Sequence, residues 1–443
     1  MGRLFGTDGV RGVAGPGEAL DRSLAVSLGR AAVRVLGPHV LVGRDTRVSG
    51  PMLEQAIADG VRAEGGTCET AGVVPTPAVA LLAREGSYDC GVVISASHNP
   101  PEYNGIKFFD AAGFKLPDEV EDKMQEIVEE LRGADVAQGE PPRALPDAAQ
   151  AYIDHAVAAV RALGVDFSGL KVALDCAHGA SCATTPAALR ALGAEVFTIN
   201  DDPDGARINV GCGSTYLQPV AELLSRTGAD VALAHDGDAD RLLAVAPGGA
   251  VADGDFIIAI CARDMAERGA LPENLVVGTV MANLGFTRAM QGCGIEVATT
   301  QVGDRYVLEC MRARGAALGG EQSGHIVFLE HNTTGDGLMT ACRLLSVMAR
   351  TGKPLPELMG AMEKLPQALV NVRVRDKALY AGNAAIAAAE AQAVAELGET
   401  GRLLVRPSGT EPLVRVMVEA ESQQQAEKTA ARVAECIASE IGA

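Results

Sequence analysis

Aromatic and basic residues are scarce in this chain. Tryptophan is absent and aromatic residues make up 3% of the sequence, so its cores must be built from Val, Leu, Ile and Ala, in a chain that is 48% apolar. The 57 Asp and Glu residues outnumber the 38 Lys and Arg residues, which gives a formal net charge of −19. This charge repels nucleic-acid phosphates and anionic membranes, so neither is expected as a partner. An anionic small molecule is still allowed, because a few arginines in a cleft can dominate the local field.

Signals for export and for membrane insertion are also missing. The N-terminal stretch MGRLFGTDGVRG has no apolar leader, and no apolar run approaches the length that spans a bilayer. The ten cysteines are scattered over 443 residues and form no CxxC pair, which favours reduced thiols over a disulfide framework. We therefore expect a soluble protein in the cytoplasm.

The order of apolar runs predicts the fold class. Short Val, Leu and Ile runs alternate with helical patterns, which is typical of α/β domains. A Pro- and Gly-rich stretch at 133–146 marks one boundary, and the three prolines within 353–366 mark another. Beyond them, neighbouring strands lack a crossover helix, as in α+β folds. We predict three α/β domains with mixed, largely parallel sheets and a smaller C-terminal α+β domain; the four domains cover residues 1–150, 151–252, 253–366 and 367–443.

The loop ASHNP, residues 96–100, directly follows the apolar run CGVVIS. Ligand groups gather at the carboxyl ends of such strands, so this position suits a functional residue. Ser97 is the candidate nucleophile, and a serine hydroxyl needs a base or a metal to activate it. His98 and Lys107 are the candidate partners. From these residues alone, a turn in which Ser97 and Asn99 satisfy the loop backbone is a slightly favoured alternative.

A second loop, DGDADR, contains three alternating aspartates. Asp236, Asp238 and Asp240 lie between the apolar runs VALA and LLAVA, and side chains at alternate positions of an extended loop point to one side. Unpaired, the three carboxylates would repel one another, so a hard divalent cation is the natural compensation. Mg²⁺ fits best. The alternative, a solvated acidic turn, does not explain the apolar strands on both sides.

Two further loops carry binding chemistry. In GEQSGH, residues 320–325, Glu, Gln, Ser and His suit the hydroxyl and amino groups of a sugar, although a polar hairpin tip explains them equally well. In RPSGTEP, residues 406–412, with Arg415 following, arginine forks and hydroxyl groups suit a phosphate. A glycine there also lets backbone N–H groups turn inward. A hairpin turn is the alternative, and phosphate binding is favoured over it.

Together these motifs resemble the α-D-phosphohexomutase superfamily over the entire chain. The resemblance is carried, in order, by FGTDGVRG, ISASHNP, NGIKFF, DGDADR, GEQSGH, TTGDG and RPSGTEP. It implies four domains around a deep central cleft and a phosphoserine at Ser97. It implies one Mg²⁺ per chain, held by Asp236, Asp238 and Asp240 with a phosphate oxygen on Ser97. The positions implied near the reacting hydroxyls are Arg11, Lys107 and His325. The implied sugar contacts are Glu321 and Ser323, and the implied phosphate clamp is Arg406, Ser408, Gly409 and Thr410.

The activity implied by the resemblance is a mutase reaction. Gln322 stands where related hexose mutases tend to carry Met, which favours the glucosamine branch. The implied reaction interconverts glucosamine 6-phosphate and glucosamine 1-phosphate through phospho-Ser97 and a 1,6-bisphosphate that is both intermediate and activator. It would feed UDP-N-acetylglucosamine, a peptidoglycan precursor. The expected partner is a small-molecule sugar phosphate, and a homodimer is compatible with the resemblance.

Three alternatives to this activity are open. A phosphomannomutase/phosphoglucomutase acting on neutral hexoses is the nearest. An aspartyl phosphatase is disfavoured by Ala239 after Asp238 and by the Ser97 loop. A catalytically silent phosphosugar-binding protein is disfavoured because Ser97, the aspartate triad and Lys107 are all intact.

Overall fold

The computed structural model describes residues 3–6, 8–131, 133, 136–408 and 411–443. The chain forms two compact units, one made of Met1–Met281 with Cys293–Ala361 and the other of Ala282–Gly292 with Met362–Ala443. Among the described residues, no helix combines the length and apolar character needed to cross a membrane.

The first unit begins with a six-stranded sheet of order β1-β5-β4-β2-β3-β6. Strands β2, β3, β4 and β6 run parallel, whereas β1 and β5 add antiparallel pairs at one edge. The elements are β1 (Val10–Val13), α1 (Arg22–Val35), β2 (His39–Arg44), α2 (Gly50–Ala63), β3 (Thr67–Val73), α3 (Thr76–Glu85), β4 (Cys90–Ile94), β5 (Tyr103–Asp110), α4 (Asp118–Glu130) and β6 (Arg143–Ala144).

Helices α1 and α2 pack closely because each has a glycine at the contact. A Cβ atom on Gly29 would lie 2.3 Å from the Ile57 carbonyl oxygen, and one on Gly60 would lie 2.1 Å from the Val26 carbonyl oxygen. All five residues of β4 are buried, as expected for a central strand covered on both faces. The loop that follows β4 therefore starts from a rigid support.

A five-stranded sheet of order β11-β10-β9-β7-β8 follows in the same unit. Its β9, β7 and β8 are parallel and its other pairs are antiparallel. The elements are α5 (Ala148–Arg161), β7 (Lys171–Asp175), α6 (Thr185–Ala191), β8 (Glu195–Ile199), α7 (Gln218–Thr227), β9 (Val231–His235), β10 (Leu242–Val245) and β11 (Val251–Ala252). Strand β9 is buried along its whole length and leads into the aspartate loop.

The third sheet has the order β13-β12-β14-β15, with one antiparallel pair at its β15 edge. The elements in chain order are α8 (Gly254–Glu267), β12 (Leu275–Thr279), α9 (Leu284–Gly292, part of the second unit), β13 (Glu296–Thr300), α10 (Asp304–Arg314), β14 (Leu318–Gly320), β15 (Ile326–Phe328), α11 (Gly337–Thr351) and α12 (Leu355–Leu358). The loop between β14 and β15 is the GEQSGH segment.

The second unit contains a fully antiparallel sheet of order β16-β18-β17. Its remaining elements are β16 (Gln367–Arg373), α13 (Ala384–Leu397), β17 (Arg402–Pro407), β18 (Leu413–Glu419) and α14 (Gln423–Ile441). Buried Glu419 ties α9 to this sheet, because its carboxylate accepts the Leu284 N–H at 2.9 Å and pairs with Arg402 at 3.1 Å.

The predicted fold class is confirmed. Three α/β sheets mix parallel and antiparallel pairs, and the tail is antiparallel with helices. Segment 282–292 joins the second unit, a grouping that the predicted boundary at residue 366 does not include. The division of the chain into four domains at the stated boundaries stays a prediction.

Candidate active site

Ser97 is held in a strained, buried loop after β4. Its φ is +51°, in the left-handed region, which costs a non-glycine residue roughly 1–2 kcal/mol. The Ser97 side chain is buried, and its backbone N–H donates to Ser95 Oγ at 2.9 Å. The Ser95 hydroxyl in turn donates to Asp45 Oδ2 at 2.6 Å. The loop geometry is therefore fixed from the β2 side of the sheet.

Arg47 is the main support of this loop, and sequence reasoning missed it. Its fully buried guanidinium donates to the carbonyl oxygens of Ser97 at 3.0 Å, Asn99 at 2.8 Å and Tyr103 at 2.8 Å, and also to that of Pro100. Its Nε donates to Asp45 Oδ2 at 2.9 Å. One signal was available: Arg47 lies in a loop at the carboxyl end of β2, which pairs with β4 in parallel.

The three predicted metal ligands converge on Ser97. The ligand atoms of Asp236, Asp238 and Asp240 lie within 4.8 Å of one another, and the Ser97 hydroxyl donates to Asp236 Oδ2 at 2.6 Å. All three carboxylates are buried, and Oδ1 of Asp238 and of Asp240 has no hydrogen-bond partner among the residues that the structure describes, although Arg241 Nε lies 3.7 Å from Asp240 Oδ1. Burial and the neighbouring carboxylates, Asp240 and Asp238, raise the pKa of Asp236 well above its ordinary value. Buried, unpaired oxygens of this kind fit a divalent cation.

Lys107 supplies a buried positive charge next to this triad. Its Nζ lies 3.1 Å from Asp238 Oδ2, 3.0 Å from Asp8 Oδ2 and 3.9 Å from Asp240 Oδ2. Burial lowers the pKa of Lys107, but Asp238 and Asp8 outweigh burial, so the pKa is raised overall. Burial raises the pKa of Asp238, because it disfavours the charged carboxylate. Lys107 and the Thr76 hydroxyl outweigh burial, so the pKa of Asp238 is lowered overall.

Asp8 forms ion pairs with three cationic side chains. It pairs with Lys107, with Lys115 and with the predicted residue Arg11. Lys115 also pairs with Asp304, so an ion-pair chain joins the FGTDGVRG segment to the start of α10. Asp8, Lys115 and Asp304 were not predicted, although Asp8 lies inside a motif that the sequence analysis quoted.

A cavity of about 410 Å³ opens beside these groups. Its lining includes the predicted residues Arg11, His98, Asp240, Glu321 and His325, together with Arg241, Asp8 and Asp304. His98 Nδ1 lies 3.3 Å from Ser97 Oγ. Burial, Arg241 and Arg11 lower the pKa of His98 to about 4, so this imidazole is neutral at neutral pH.

His325 lies between the triad and α10. Its Nε2 is 3.9 Å from Asp240 Oδ2 and 3.6 Å from Asp304 Oδ2, and it accepts the Gly335 N–H at 3.3 Å. A Cβ on Gly335 would lie 2.5 Å from the ring, so this glycine allows the close approach. The buried Nδ1 has no hydrogen-bond partner among the described residues.

The other residues of the GEQSGH loop face different surroundings. Glu321 Oε1 accepts the Gly303 N–H at 2.9 Å and lines the cavity. Gln322 donates its amide to Asp255 Oδ2 at 3.2 Å and is not among the lining residues. Ser323 does not line the cavity either, and its buried hydroxyl has no hydrogen-bond partner among the described residues.

The aspartate loop and the GEQSGH loop are joined through the backbone. Arg241 and His325 form a β-bridge, and the Leu242 N–H donates to the Gly324 carbonyl oxygen at 3.1 Å. The Gly337 N–H donates to the Ala239 carbonyl oxygen at 3.0 Å. The metal-ligand candidates and the sugar-contact candidates therefore belong to one rigid arrangement.

The predicted phosphate loop lies in the second unit. Arg406 on β17 is directly opposite Arg415 on β18, so both guanidinium groups leave the same face of the sheet. Arg415 pairs with Glu411 at 3.0 Å, and Ser408 Oγ accepts the Glu411 N–H at 3.3 Å. Gly409 and Thr410 lie outside the described residues.

Four domain profiles of one family match the chain in succession. Residues 2–134, 150–249 and 253–365 match alpha/beta/alpha domains I, II and III of phosphoglucomutase/phosphomannomutase, and residues 369–436 match its C-terminal domain. The chain belongs to the phosphoglucomutase/phosphomannomutase family.

Relatives assign it to one branch of that family. A phosphoglucosamine mutase from Clostridium novyi is 50% identical, with 99% of each chain covered, and one from Frankia alni is 52% identical, with 98% of each covered. A crystal structure of a family protein from Burkholderia thailandensis superposes with a TM-score of 0.83 at 27% identity, covering 99% of this chain and 97% of that one. The branch is that of the phosphoglucosamine mutases.

Proposed function

We propose that this chain interconverts glucosamine 6-phosphate and glucosamine 1-phosphate by transferring a phosphoryl group to and from Ser97. The observation that carries the proposal is the Ser97 hydroxyl 2.6 Å from Asp236, within a buried carboxylate triad beside a polar cavity. Relatives named phosphoglucosamine mutase, about half identical over nearly the whole chain, support the choice of substrate.

The proposed reaction has two half-reactions. In the first, the free sugar hydroxyl attacks the phosphorus on Ser97, the bond from phosphorus to Ser97 Oγ breaks, and the hydroxyl proton passes to a base. This gives glucosamine 1,6-bisphosphate. The bisphosphate then reorients in the site. In the second half-reaction, Ser97 Oγ attacks the other phosphate of the bisphosphate, and the sugar oxygen leaves with a proton. A bisphosphate taken from solution would phosphorylate an unmodified Ser97 in the same way, which is why we also propose it as activator.

We assign the proton transfers on the sugar side to His325. His325 lines the cavity, and its Nε2 lies 3.9 Å from Asp240 Oδ2. The hydrogen bond that Nε2 accepts from the Gly335 N–H is long, at 3.3 Å, so Nε2 is within reach of a hydroxyl bound in the cavity. Arg11 and Lys107 act as fixed cations that stabilise the charge of the transferring group. His98 and Asp236 both approach Ser97 Oγ and orient it once the phosphoryl group has left.

The proposed cofactor is one Mg²⁺. Asp236, Asp238 and Asp240, with an oxygen carried by Ser97, would hold it, and their buried, unpaired oxygens fit such an ion. When bound, the ion would neutralise charge on the phosphoryl group.

The RPSGTEP loop is the proposed phosphate-binding element of the second unit. Arg406 and Arg415 lie directly opposite each other on one sheet face, and paired guanidinium groups suit a phosphate anion. Arg406, Ser408, Gly409, Thr410 and Arg415 are the proposed contributors, and Glu321 and Ser323 are the proposed sugar contacts.

The charge and the cysteines of the chain support proposals about its partner and its cellular compartment. The −19 charge supports a small-molecule sugar phosphate as partner rather than a nucleic acid or a membrane. All ten cysteines are free thiols, which supports a reducing compartment such as the cytoplasm. A homodimer and the four domain boundaries are likewise proposed.

A coupled assay of glucosamine, glucose and mannose phosphates, run side by side, tests the function. We expect the highest kcat/KM for glucosamine phosphates, one phosphoryl group on Ser97 by intact-mass and peptide mapping, and loss of both activity and modification in Ser97→Ala. Ser439→Ala, at an exposed position of α14, is the control. A preference for neutral hexoses would favour the nearest alternative, binding without turnover would favour a silent binding protein, and a fully active Ser97→Ala would reject the mechanism.

A further inference from the structure

The substrate's amino group must be distinguished from a hydroxyl, and the residue that does so is not evident from the sequence. This inference rests on the proposed function. Glucosamine phosphates differ from glucose phosphates by an ammonium group in place of the C2 hydroxyl, and a carboxylate is the side chain that discriminates between them. Gln322, which marks the branch in the sequence, donates to Asp255 and does not line the cavity. The charge must therefore be recognised elsewhere.

The acidic residues that line the cavity are Asp8, Asp240, Asp304 and Glu321. Asp8 already pairs with three cations. Asp240 belongs to the proposed metal triad. Glu321 uses one oxygen to accept a backbone N–H and belongs to the loop proposed to contact hydroxyl groups. Asp304 pairs with Lys115 through Oδ2 and accepts the Arg305 N–H through Oδ1 at 2.8 Å, but of these four carboxylates it is the one without a proposed part in the reaction or in hydroxyl recognition.

Asp304 is well placed for this task. It is the first residue of α10, and its side chain keeps 16% of its surface exposed at the cavity. The preceding Gly303 donates its N–H to Glu321, so Asp304 is fixed next to the sugar loop. The φ of Gly303 is +134°, which a residue with a side chain rarely adopts. His325 Nε2, 3.6 Å away, links Asp304 to the reacting end of the cavity.

Asp304 also carries the required charge. Its ion-pair partner Lys115 is shared with Asp8, so this lysine does not neutralise Asp304 alone. Burial raises the pKa of Asp304, but Lys115 outweighs burial and the pKa is lowered overall. The carboxylate is therefore an anion at neutral pH, and it lines the cavity, where an ammonium group of the sugar would meet it.

We propose that Asp304 binds the C2 ammonium group of the sugar phosphate and sets the preference for amino over neutral hexose phosphates. Glu321 contacts hydroxyl groups that both kinds of sugar share. The two carboxylates, joined through Gly303, divide recognition of the sugar between charge and hydroxyl pattern.

The test compares two sugars in two matched variants. For wild type, Asp304→Asn and Glu321→Gln, kcat/KM is measured with glucosamine 6-phosphate, and glucose 6-phosphate is measured as substrate or competing ligand. Loss of a charged hydrogen-bond partner should lower kcat/KM for glucosamine 6-phosphate in Asp304→Asn by roughly 10- to 100-fold. The glucose 6-phosphate value should change less than about threefold. Glu321→Gln should lower the values for glucosamine 6-phosphate and for glucose 6-phosphate by similar factors.

The outcomes separate this inference from the proposed function. Suppose that wild type prefers glucosamine 6-phosphate. If Asp304→Asn then lowers the values for both sugar phosphates by the same factor, or changes neither value, the inference is wrong and the function stands. If wild type does not act on glucosamine 6-phosphate, the function itself fails. Asp304→Ser is the second variant, because it removes the carboxylate with a small side chain while the N-cap of α10, Gly303, is unchanged. Thermal melting and the phosphoryl content of Ser97 confirm that each variant is folded and loaded.

Discussion

Arg47 provides a sharp test of how the reactive loop is positioned. Replacing it by lysine keeps the buried positive charge beside Asp45 and removes the planar fork that reaches four carbonyl oxygens. A lysine ammonium has three donors, whereas Arg47 serves five acceptors. Asn209 also donates to the carbonyl oxygens of Ser97 and Asn99, so those two keep a partner. The expected loss falls mainly on the Pro100–Tyr103 end of the loop.

The structure sets the expected size of both effects. Pro100 and Tyr103 are exposed residues, so loss of this donor at their carbonyl oxygens costs about 0.5–1.5 kcal/mol each, and the melting temperature should fall by a few degrees. Release of the loop lets Ser97 leave its strained left-handed conformation, and a displacement of about 1 Å at a reacting group costs on the order of 100-fold in rate. We expect kcat to fall by about that factor. KM should stay within about threefold, because Arg47 does not line the cavity.

The assay is steady-state kinetics with Ser97 phosphorylation measured in parallel. Arg44→Lys is the matched control, since Arg44 is the last residue of β2, directly before this loop, but pairs with Glu54 and donates to the Asp45 carbonyl oxygen. Its kcat should stay within about twofold of wild type. A folded Arg47→Lys with a lowered melting temperature and an unchanged kcat would refute the reasoning and leave Arg47 a purely structural residue.

Two further predictions concern buried carboxylates. Asp238→Asn removes one charge at nearly constant shape, so folding should survive while Mg²⁺-dependent turnover falls by at least about 100-fold; an unaltered Mg²⁺ titration would contradict the metal assignment. Burial raises the pKa of Asp59, but the Gly139 N–H, Gln55, Arg62 and Arg22 outweigh burial and lower it overall. Its stabilising effect is therefore present above its ordinary pKa, near 4, and lost as pH falls through the lowered value. The difference between the urea unfolding midpoints of wild type and Asp59→Asn should become smaller from pH 6 to pH 3. A constant difference would show that the charge of Asp59 does not contribute to stability.

Elements with strong local signals were predictable from the sequence. The apolar runs that became β4 and β9 are buried throughout, and helix α11 spans the stretch GLMTACRLLSVMART that reads as a long helix. Ser97 and the three aspartates follow directly from such strands, so the position of each loop at the carboxyl end of its own sheet could be predicted. That the two loops meet was implied by the resemblance and not by either strand.

Partners that are distant in sequence were not predictable. Arg47 lies 50 residues before Ser97, and an arginine in a polar loop carries no local sign that it will be fully buried. Lys115 and Asp304 are 189 residues apart and meet only because two sheets present their ends to the same cavity. The membership of α9 in the second unit likewise depends on Glu419, which the sequence alone reads as an ordinary acidic residue.

The backbone joint between the aspartate loop and the GEQSGH loop makes their alignment independent of most side chains. The Leu242–Gly324 hydrogen bond joins the two loops, and the Gly337–Ala239 hydrogen bond joins the aspartate loop to the first residue of α11. Both use main-chain atoms alone, so they survive exchange of the side chains around them. The main demand on sequence is for glycine: a Cβ on Gly324 would lie 2.3 Å from the Leu242 carbonyl oxygen, and one on Gly337 would lie 2.5 Å from that of Arg241. The alignment of the two loops is thereby set by backbone atoms and by two glycines, and it does not depend on which sugar-facing side chains the GEQSGH loop carries.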